Sequence, residues 1–207
     1  MSLRSHARQI VRQLAFRDVR HALTTPGQIS IREAKLLAEL VKSLDDPGPI
    51  VEIGTLFGWS TRVMILAKPQ ETELITVDSY GWNPLGLSES EHFDVTSAIL
   101  AESKLHLNVS QIRQHKADFF RTYSGAKPAL IFLDAIHSYE ETRKDLEWAT
   151  QFKNSVICLH DYTNLWPGVI QAVDELGGPH RIEGSLCALR QGVGYEAAGN
   201  IAHGQLT

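Results

Sequence analysis

The 207-residue sequence has few of the features that mark secreted, membrane-spanning or nucleic-acid-binding proteins. Its two cysteines, Cys158 and Cys187, are too few for a disulfide framework and form no CxxC pair. No apolar run approaches the roughly 20 residues of a membrane-spanning helix, and no apolar signal-peptide core begins the chain. The net charge of −4 gives no chain-wide basic field for nucleic acid. We therefore expect a protein of the reducing cytoplasm without membrane or nucleic-acid partners.

The composition is that of an ordinary globular protein, with 43% hydrophobic and 21% charged residues. At about 150 residues per domain, the length favours one domain with extensions. Helical spacing of apolar residues over 5–22 and 30–44 predicts an N-terminal helical extension spanning 1–45. We expect a core over 46–191 and a loosely ordered tail over 192–207. The basic N-terminal helix is a candidate contact with a second copy of the chain, so a homo-oligomer stays open.

From residue 49 onward, short β-rich runs alternate with helical stretches. The runs are almost continuously apolar, as expected of parallel strands that are buried on both faces. Predicted strands span 49–53, 74–77, 111–115, 129–133 and 155–159, with a closing pair over 181–183 and 186–190. Predicted helices lie near 60–67, 93–105, 139–152 and 167–176. This alternation predicts an α/β fold, a doubly wound, mostly parallel, seven-stranded Rossmann-like sheet.

Acidic residues recur at or just beyond the ends of the five predicted parallel strands. They are Glu52, Asp78, Asp118, Asp134 and Asp161. In open α/β sheets, ligands bind outside the carboxyl ends of the strands. Five acids at one edge of the sheet indicate a site for a polar ligand.

The loop after the first predicted strand, residues 52–60, reads EIGTLFGWS. It lacks the spacing and the Lys-Ser/Thr pair of a phosphate-binding P-loop. It also fails the dinucleotide fingerprint GxGxxG, because Leu56 stands where a second glycine must let a pyrophosphate approach. Asp78 nevertheless ends the second strand roughly 20 residues downstream, where an acid accepts hydrogen bonds from ribose hydroxyls. The pattern favours a nucleoside without a pyrophosphate and disfavours a nicotinamide-dependent oxidoreductase.

An ordered set of motifs carries a family resemblance. After E-I-G-x-x-x-G-x-S come V-D at 77–78, A-D-F at 117–119 and L-D-x-x-H-S-Y-E at 133–140; L-H-D-Y at 159–162 and P-G-V-x-x-A-V-D-E at 167–175 follow. Together they resemble the class I S-adenosylmethionine-dependent methyltransferases over roughly 47–190. The last two motifs are similar to a branch of small-molecule O-methyltransferases that act on sugars and antibiotic-like natural products.

The resemblance implies that S-adenosyl-L-methionine is the cofactor and assigns its contacts. Gly54 and Gly58 would pack against the methionine part, and Glu52 would face its amino group directly or through water. Asp78 would bind the ribose hydroxyls. The remaining cofactor-binding residues would be Asp118 and Phe119 beside the adenine, together with Thr55, Ser60, Ser79 and Asp134.

Methyl transfer to a hydroxyl also requires that the hydroxyl lose its proton, either to a general base or with help from a divalent metal. His137, with Asp134, is the predicted catalytic pair, since histidine changes charge near neutral pH. A purely structural reading of this segment is a capping box in which Ser138 and Glu141 begin the next helix.

Asp134, His160 and Asp161 are the predicted ligands of Mg²⁺ or another divalent cation. Ile136 and His160 occupy positions where metal-dependent relatives usually carry acids, so the metal requirement stays open. Tyr80 and Trp82, in a turn-rich loop over 79–92 that would cover the substrate, are candidate contacts with a small-molecule acceptor, as are Tyr162 and Trp166.

The leading hypothesis is therefore an S-adenosylmethionine-dependent methyltransferase that acts on a small-molecule acceptor, at a hydroxyl oxygen. A non-catalytic nucleoside-binding protein of the same fold is the alternative, and Ile136 gives it weight. A nicotinamide-dependent oxidoreductase is less favoured because of Leu56.

Overall fold

The computed structural model of the chain describes residues 27–189 and residue 192. The helix predicted over 5–22 and all of the predicted tail except residue 192 lie outside these residues. Within them, seven strands form one sheet in the order β3-β2-β1-β4-β5-β7-β6. The strands are β1 (Ile50–Ile53), β2 (Leu74–Asp78), β3 (Val109–Arg113), β4 (Leu130–Leu133), β5 (Val156–Leu159), β6 (Arg181–Glu183) and β7 (Leu186–Ala188).

The sheet is parallel from β1 to β5, and β7 runs antiparallel to both β5 and β6. The helices are α1 (Ile31–Lys42), α2 (Trp59–Ala67), α3 (Glu89–Ile99), α4 (Ala101–His106), α5 (Lys116–Thr122), α6 (Tyr139–Ala149) and α7 (Pro167–Asp174). The predicted doubly wound α/β class is confirmed. Because β1 pairs with β2 on one side and with β4 on the other, the strand order reverses there, which is where such sheets bind ligands.

The sheet is covered on both faces by helices that bury its apolar side chains. Ile50 packs with Leu37 of α1 and Met64 of α2 in one cluster. Val51, one position along the same strand, packs with Val173 of α7 in the other. Successive side chains of a strand point to opposite faces, so a continuous apolar run suits a strand buried on both sides.

Helix α1 starts at a capping box and joins the core. The Ser30 side chain accepts a hydrogen bond from the backbone N–H of Glu33, and the Glu33 carboxylate accepts one from the backbone N–H of Ser30. Reciprocal bonds of this kind satisfy two donors that would otherwise be unpaired. The segment just before β1 is therefore part of the packed structure.

Three local predictions differ from the structure. The helix predicted over 93–105 is two helices, and the first begins at Glu89 behind a Ser88 capping box. Strand β3 starts two residues earlier than predicted, at Val109. Helix α5 is not among the predicted helices.

No helix among residues 27–189 is both long and apolar enough to cross a membrane.

Candidate active site

A cavity of about 1280 Å³ opens at the carboxyl ends of β1 to β5. Ligand pockets typically measure about 300–1,000 Å³, so this one has room for two small molecules side by side. Most of the predicted site residues line it. They are Gly54, Thr55, Ser60, Asp78, Ser79, Asp134, His137, His160 and Asp161.

The Asp78 carboxylate orders the loop after β1. Its Oδ2 accepts hydrogen bonds from the backbone N–H groups of Thr55 (2.9 Å) and Leu56 (3.0 Å), and its Oδ1 accepts one from Tyr80 (2.7 Å). Leu56 and Tyr80 both have positive φ angles, which non-glycine residues adopt only when the surroundings hold them there. A half-buried carboxylate has about four lone-pair positions. A lone-pair position therefore remains for a ribose hydroxyl, the predicted ligand.

Glu52 is fully buried beneath this loop and does not line the cavity. Its carboxylate accepts hydrogen bonds from three hydroxyls, those of Ser60 (2.5 Å), Thr61 (2.5 Å) and Thr76 (2.6 Å). Burial raises the pKa of Glu52 to about 7, although the three hydroxyls pull it down. Ser60 does line the cavity. Glu52 therefore lies behind Ser60, which separates its carboxylate from the cavity.

The two glycines of the loop serve different purposes, and only one reaches the cavity. Gly54 has φ +99°, and a Cβ there would overlap the carbonyl oxygen of Asp134, so the loops after β1 and β4 meet at this point. Gly58 is the residue before α2, with φ +84°, and its α-carbon faces Leu100 on the far side from the cavity. The predicted contact of Gly58 with the cofactor stays a prediction, and its left-handed conformation by itself favours glycine.

Asp118 and Phe119 do not line the cavity, because α5 carries them elsewhere. Asp118 is exposed and pairs with Arg121 at 2.7 Å. Phe119 is buried against Trp148, with ring centroids 5.9 Å apart. The predicted adenine contact of these two residues therefore stays a prediction, and the cavity lining does not include them. The cavity wall after β3 is formed by Gln114, by the N-cap residue His115 and by Lys116, the first residue of α5.

His137 and Asp161 form the polar centre of the opposite wall, together with Asp134. His137 Nε2 lies 3.3 Å from Asp161 Oδ2, and one donor atom from each of the three residues lies within 4.8 Å of the others. The two readings of the segment are compatible, because the Ser138 side chain caps α6 while His137 lines the cavity. The Glu141 carboxylate does not complete the capping box and pairs instead with Lys144 (2.6 Å).

His160 lies behind this centre, buried among three carboxylates. Its Nδ1 is 3.4 Å from Asp134 Oδ1 and 3.3 Å from Asp161 Oδ2, and its Nε2 is 3.7 Å from Glu33 Oε2. Burial lowers the pKa of His160, but the three carboxylates outweigh it and raise the pKa to about 12. The acids around His160 therefore favour the protonated form of its imidazole.

Glu33 is a site residue that the sequence analysis missed. It reaches the cavity from α1, and its Oε1 accepts hydrogen bonds from the backbone N–H (2.6 Å) and the hydroxyl (2.7 Å) of Ser185. Burial raises its pKa, but the hydrogen bonds from His160, Ser30 and Ser185 lower it to well below its usual range. In the sequence, Glu33 stands at position N3 of a capping box, which predicts the start of a helix and does not indicate a role in the site.

The centre has donors that suit a divalent cation. Asp134 and Asp161 offer hard oxygen ligands and His137 an imidazole nitrogen, a mixture that favours Mn²⁺, Fe²⁺ or Zn²⁺ over Mg²⁺. His160, predicted as a ligand, has its Nδ1 fully buried and without a hydrogen-bond partner among residues 27–189, and its Nε2 lies 3.1 Å from the Ser185 hydroxyl. His137 is the third donor that groups with the two acids.

Comparison with known proteins defines the class. A family model described as a methyltransferase domain matches residues 51–162, more than half of the chain. The chain therefore belongs to this methyltransferase domain family, and the predicted resemblance to class I methyltransferases is confirmed. No curated protein matches the sequence.

Solved structures share the fold at low sequence identity. The O-methyltransferase TomG from Streptomyces achromogenes, involved in tomaymycin synthesis and determined with SAM, is 19% identical with a TM-score of 0.61, covering 84% of this chain and 86% of that one. An O-methyltransferase from Bacillus cereus in complex with SAH is 17% identical with a TM-score of 0.61, covering 89% and 97%. CalS11, a TDP-rhamnose 3′-O-methyltransferase of calicheamicin biosynthesis, is 18% identical with a TM-score of 0.55, covering 76% of each chain.

Proposed function

We propose that this protein transfers a methyl group from S-adenosyl-L-methionine to a hydroxyl oxygen of a small-molecule acceptor. The observation that carries the proposal is that the Asp78-ordered loop and the His137–Asp161 pair face one cavity. When bound, S-adenosylmethionine supplies an electrophilic methyl group on a cationic sulfur, which becomes a neutral thioether once the methyl group has left. The bound cofactors named for TomG and the Bacillus cereus enzyme support this assignment.

The loop after β1 and the end of β2 would hold the cofactor. Gly54, Thr55 and Ser60 line the cavity for its methionine part, and Asp78 and Ser79 lie where ribose hydroxyls would be bound. Acidic side chains around the cavity favour the cationic groups of the cofactor. We assign the adenine side to the wall formed after β3.

His137 would accept the proton of the acceptor hydroxyl. If Asp161 accepts a hydrogen bond from Nε2, the proton-accepting nitrogen of the neutral ring is Nδ1. General-base catalysis of this kind contributes about 10²- to 10⁴-fold to the rate. Asp134, next to the pair, would orient the hydroxyl.

A divalent cation, if it takes part, would be held by Asp134, His137 and Asp161, and would lower the pKa of the acceptor hydroxyl. In that case His137 is a ligand and a proton acceptor must be found elsewhere. The two versions differ in what chelation does to turnover.

The first experiment measures cofactor binding by calorimetry with S-adenosylmethionine and S-adenosylhomocysteine. Asp78→Ala should weaken binding about tenfold or more, since hydrogen bonds to charged groups contribute roughly 1.5–3 kcal/mol. Asp94→Ala, an exposed aspartate of α3, is the control and should bind as the parent does. Equal binding by all three proteins would overturn the cofactor site, and binding without any product S-adenosylhomocysteine would favour the non-catalytic alternative.

The second experiment measures turnover of His137→Gln with and without a chelator. A base role predicts a rate about 10²- to 10⁴-fold lower, nearly unchanged cofactor affinity and loss of the acid limb of the pH–rate profile. His106→Gln, on exposed α4, is the control. Loss of the parent's activity in chelator, restored by added metal, would replace the base role with the metal version.

We also propose that the protein works in the cytoplasm, which its two buried free cysteines support. We retain 46–191 as the core with 1–45 as an extension and 192–207 as a tail, and we leave a homo-oligomer open to measurement.

A further inference from the structure

The mouth of the cavity carries a cluster of exposed apolar side chains. Trp82 is 64% exposed, Ile136 48%, Leu165 81% and Trp166 43%, and all four line the cavity. They come from three different loops, those after β2, β4 and β5. Single exposed apolar residues are normal on a protein surface, but several around one opening indicate a ligand or partner site.

Two of these residues lie next to the proposed base. The ring of Trp166 is 4.8 Å from the ring of His137, centroid to centroid. Ile136 is the neighbour of His137 in the chain. An acceptor whose hydroxyl reaches His137 therefore has its body against Trp166 and Ile136.

The charges of the cavity oppose a negatively charged acceptor. Its lining acids are Glu33, Asp78, Asp134 and Asp161. Within residues 27–189 its one lining lysine, Lys116, is paired with Asp145 at 2.6 Å and Glu141 at 3.2 Å, and no arginine lines it.

The lining histidines do not change this balance. His160 is enclosed by three of these acids, Glu33, Asp134 and Asp161. His137 lies 3.3 Å from Asp161 Oδ2, and His115 Nδ1 accepts the backbone N–H of Ala117 at 3.2 Å. Among the residues that the structure describes, a phosphate or carboxylate in the acceptor half would meet carboxylates and no unpaired lysine or arginine.

Resting on the function proposed above, we propose that the acceptor is an uncharged aromatic alcohol, a flat apolar ring with a phenolic hydroxyl. Its ring stacks on Trp166, with Trp82 and Leu165 at the mouth, and its hydroxyl meets His137. Nucleotide-linked sugars, the substrate class named for CalS11, carry phosphates and are excluded by the same charges.

The test is formation of S-adenosylhomocysteine with three acceptors. Two of them, 3,4-dihydroxyphenylacetate and its methyl ester, share ring and hydroxyls, and a methylene insulates the ring from the charge. The third is TDP-rhamnose. We expect kcat/KM for the ester to exceed that for the acid by at least about tenfold, with no turnover of TDP-rhamnose. Equal or better use of the acid or of TDP-rhamnose overturns the inference.

Variants locate the acceptor. Trp166→Ala and Trp82→Ala should each raise KM for the ester about tenfold while cofactor affinity stays at the parental value. Leu105→Ala removes an apolar side chain that is 77% exposed on α4, outside the cavity, and is the control. Unchanged KM in both tryptophan variants contradicts the proposed position.

Failure of this inference is separable from failure of the proposed function. Calorimetry with the cofactor alone tests the function, since it needs no acceptor. Binding of the ester to the enzyme–S-adenosylhomocysteine complex, followed by tryptophan fluorescence, tests the acceptor class. If the cofactor binds but the ester does not, the acceptor class is wrong and the methyltransferase assignment stands.

Discussion

The two walls of the cavity are built on different principles. On the β1–β2 side, acids are satisfied by neutral donors: Asp78 by three backbone N–H groups and Glu52 by three hydroxyls. On the β4–β5 side, ionisable groups face one another, with His160 among Asp134, Asp161 and Glu33. The buried Nδ1 of His160 has no hydrogen-bond partner in the part of the chain that the structure describes.

This difference suits a rigid β1–β2 wall that would bind the cofactor and a β4–β5 wall that would take part in proton transfer. Neutral hydrogen bonds fix the shape of the β1–β2 wall whether or not a ligand is present, which suits a ligand that is the same in every turnover. Charged groups in a low-dielectric site respond strongly to any added charge or proton. Substitutions on the first wall should therefore change stability and cofactor binding, and those on the second should change turnover.

The largest effect is expected at the point where the walls touch. Gly54→Ala adds a Cβ that overlaps the Asp134 carbonyl oxygen in a left-handed backbone. We expect a loss of about 4 kcal/mol in the free energy of unfolding, of which roughly 1–2 kcal/mol is the left-handed conformation and the rest displacement of the β4 loop. Urea denaturation measures it.

Gly86→Ala is the matched control for that prediction. Gly86 has φ +69° but no atom within 4 Å of an added Cβ, so it reports the conformational cost alone, about 1 kcal/mol. Similar losses of unfolding free energy in the two variants would mean that an added Cβ at Gly54 does not clash with the carbonyl oxygen of Asp134.

The next effect is a pH dependence of stability that comes from Glu52. Its folded-state pKa is raised by burial from 4.5 to about 7, so the protonated acid stabilises the fold. That contribution is fully present below about pH 4.5 and is lost as the pH rises through about 7, on the order of 3 kcal/mol in all.

Glu52→Gln should remove this loss. Urea denaturation at pH 5 and pH 8 measures the free energy of unfolding of each protein. The loss between the two pH values in the parent is then compared with the loss in the variant. Asp145, whose pKa burial raises to about 6, titrates in the same range in both proteins and cancels. A variant that loses as much stability as the parent would show that Glu52 is already ionised in the folded state.

The smallest effect tests the second wall. Glu33→Gln removes the charge that faces His160, and we expect kcat to fall about three- to tenfold with cofactor affinity unchanged. Glu39→Gln is the control, because Glu39 is equally buried on α1 and pairs with Arg181, away from the cavity. Equal kcat in the two variants would reduce Glu33 to a structural role.

The sheet was predictable where burial decides the residue types. Residues 130–133 are apolar because both faces of β4 are covered, and such runs are visible in a sequence. Strand β3 is polar at Ser110 and Gln111, and its position is set by pairing with β2, in which Val109 lies opposite Leu74. Pairing between distant segments leaves no local signal.

The site was predictable where it follows directly from strand ends. Asp78 is the last residue of β2, Asp134 directly follows β4, and Asp161 is the second residue after β5, so topology alone brings them together. Asp118 does not follow its strand directly, because it lies in the first turn of α5, where it pairs with Arg121 outside the cavity lining. Glu33 could not be predicted as a site residue from the sequence. Its capping-box position accounts for a glutamate there, and only the packing of α1 brings it to His160.

The Glu33–Ser185 bonds join residues 152 positions apart in the chain. Closing so long a loop costs entropy that only the completed contacts repay. During synthesis Glu33 emerges before any strand of the sheet, and Ser185 emerges after all the strands except β7. The β1–β2 wall involves far shorter separations, 22 and 23 positions for the Asp78 bonds to Leu56 and Thr55. A growing chain can thus form the β1–β2 wall well before the β4–β5 wall, whose contact between Glu33 and Ser185 forms only with the last hairpin.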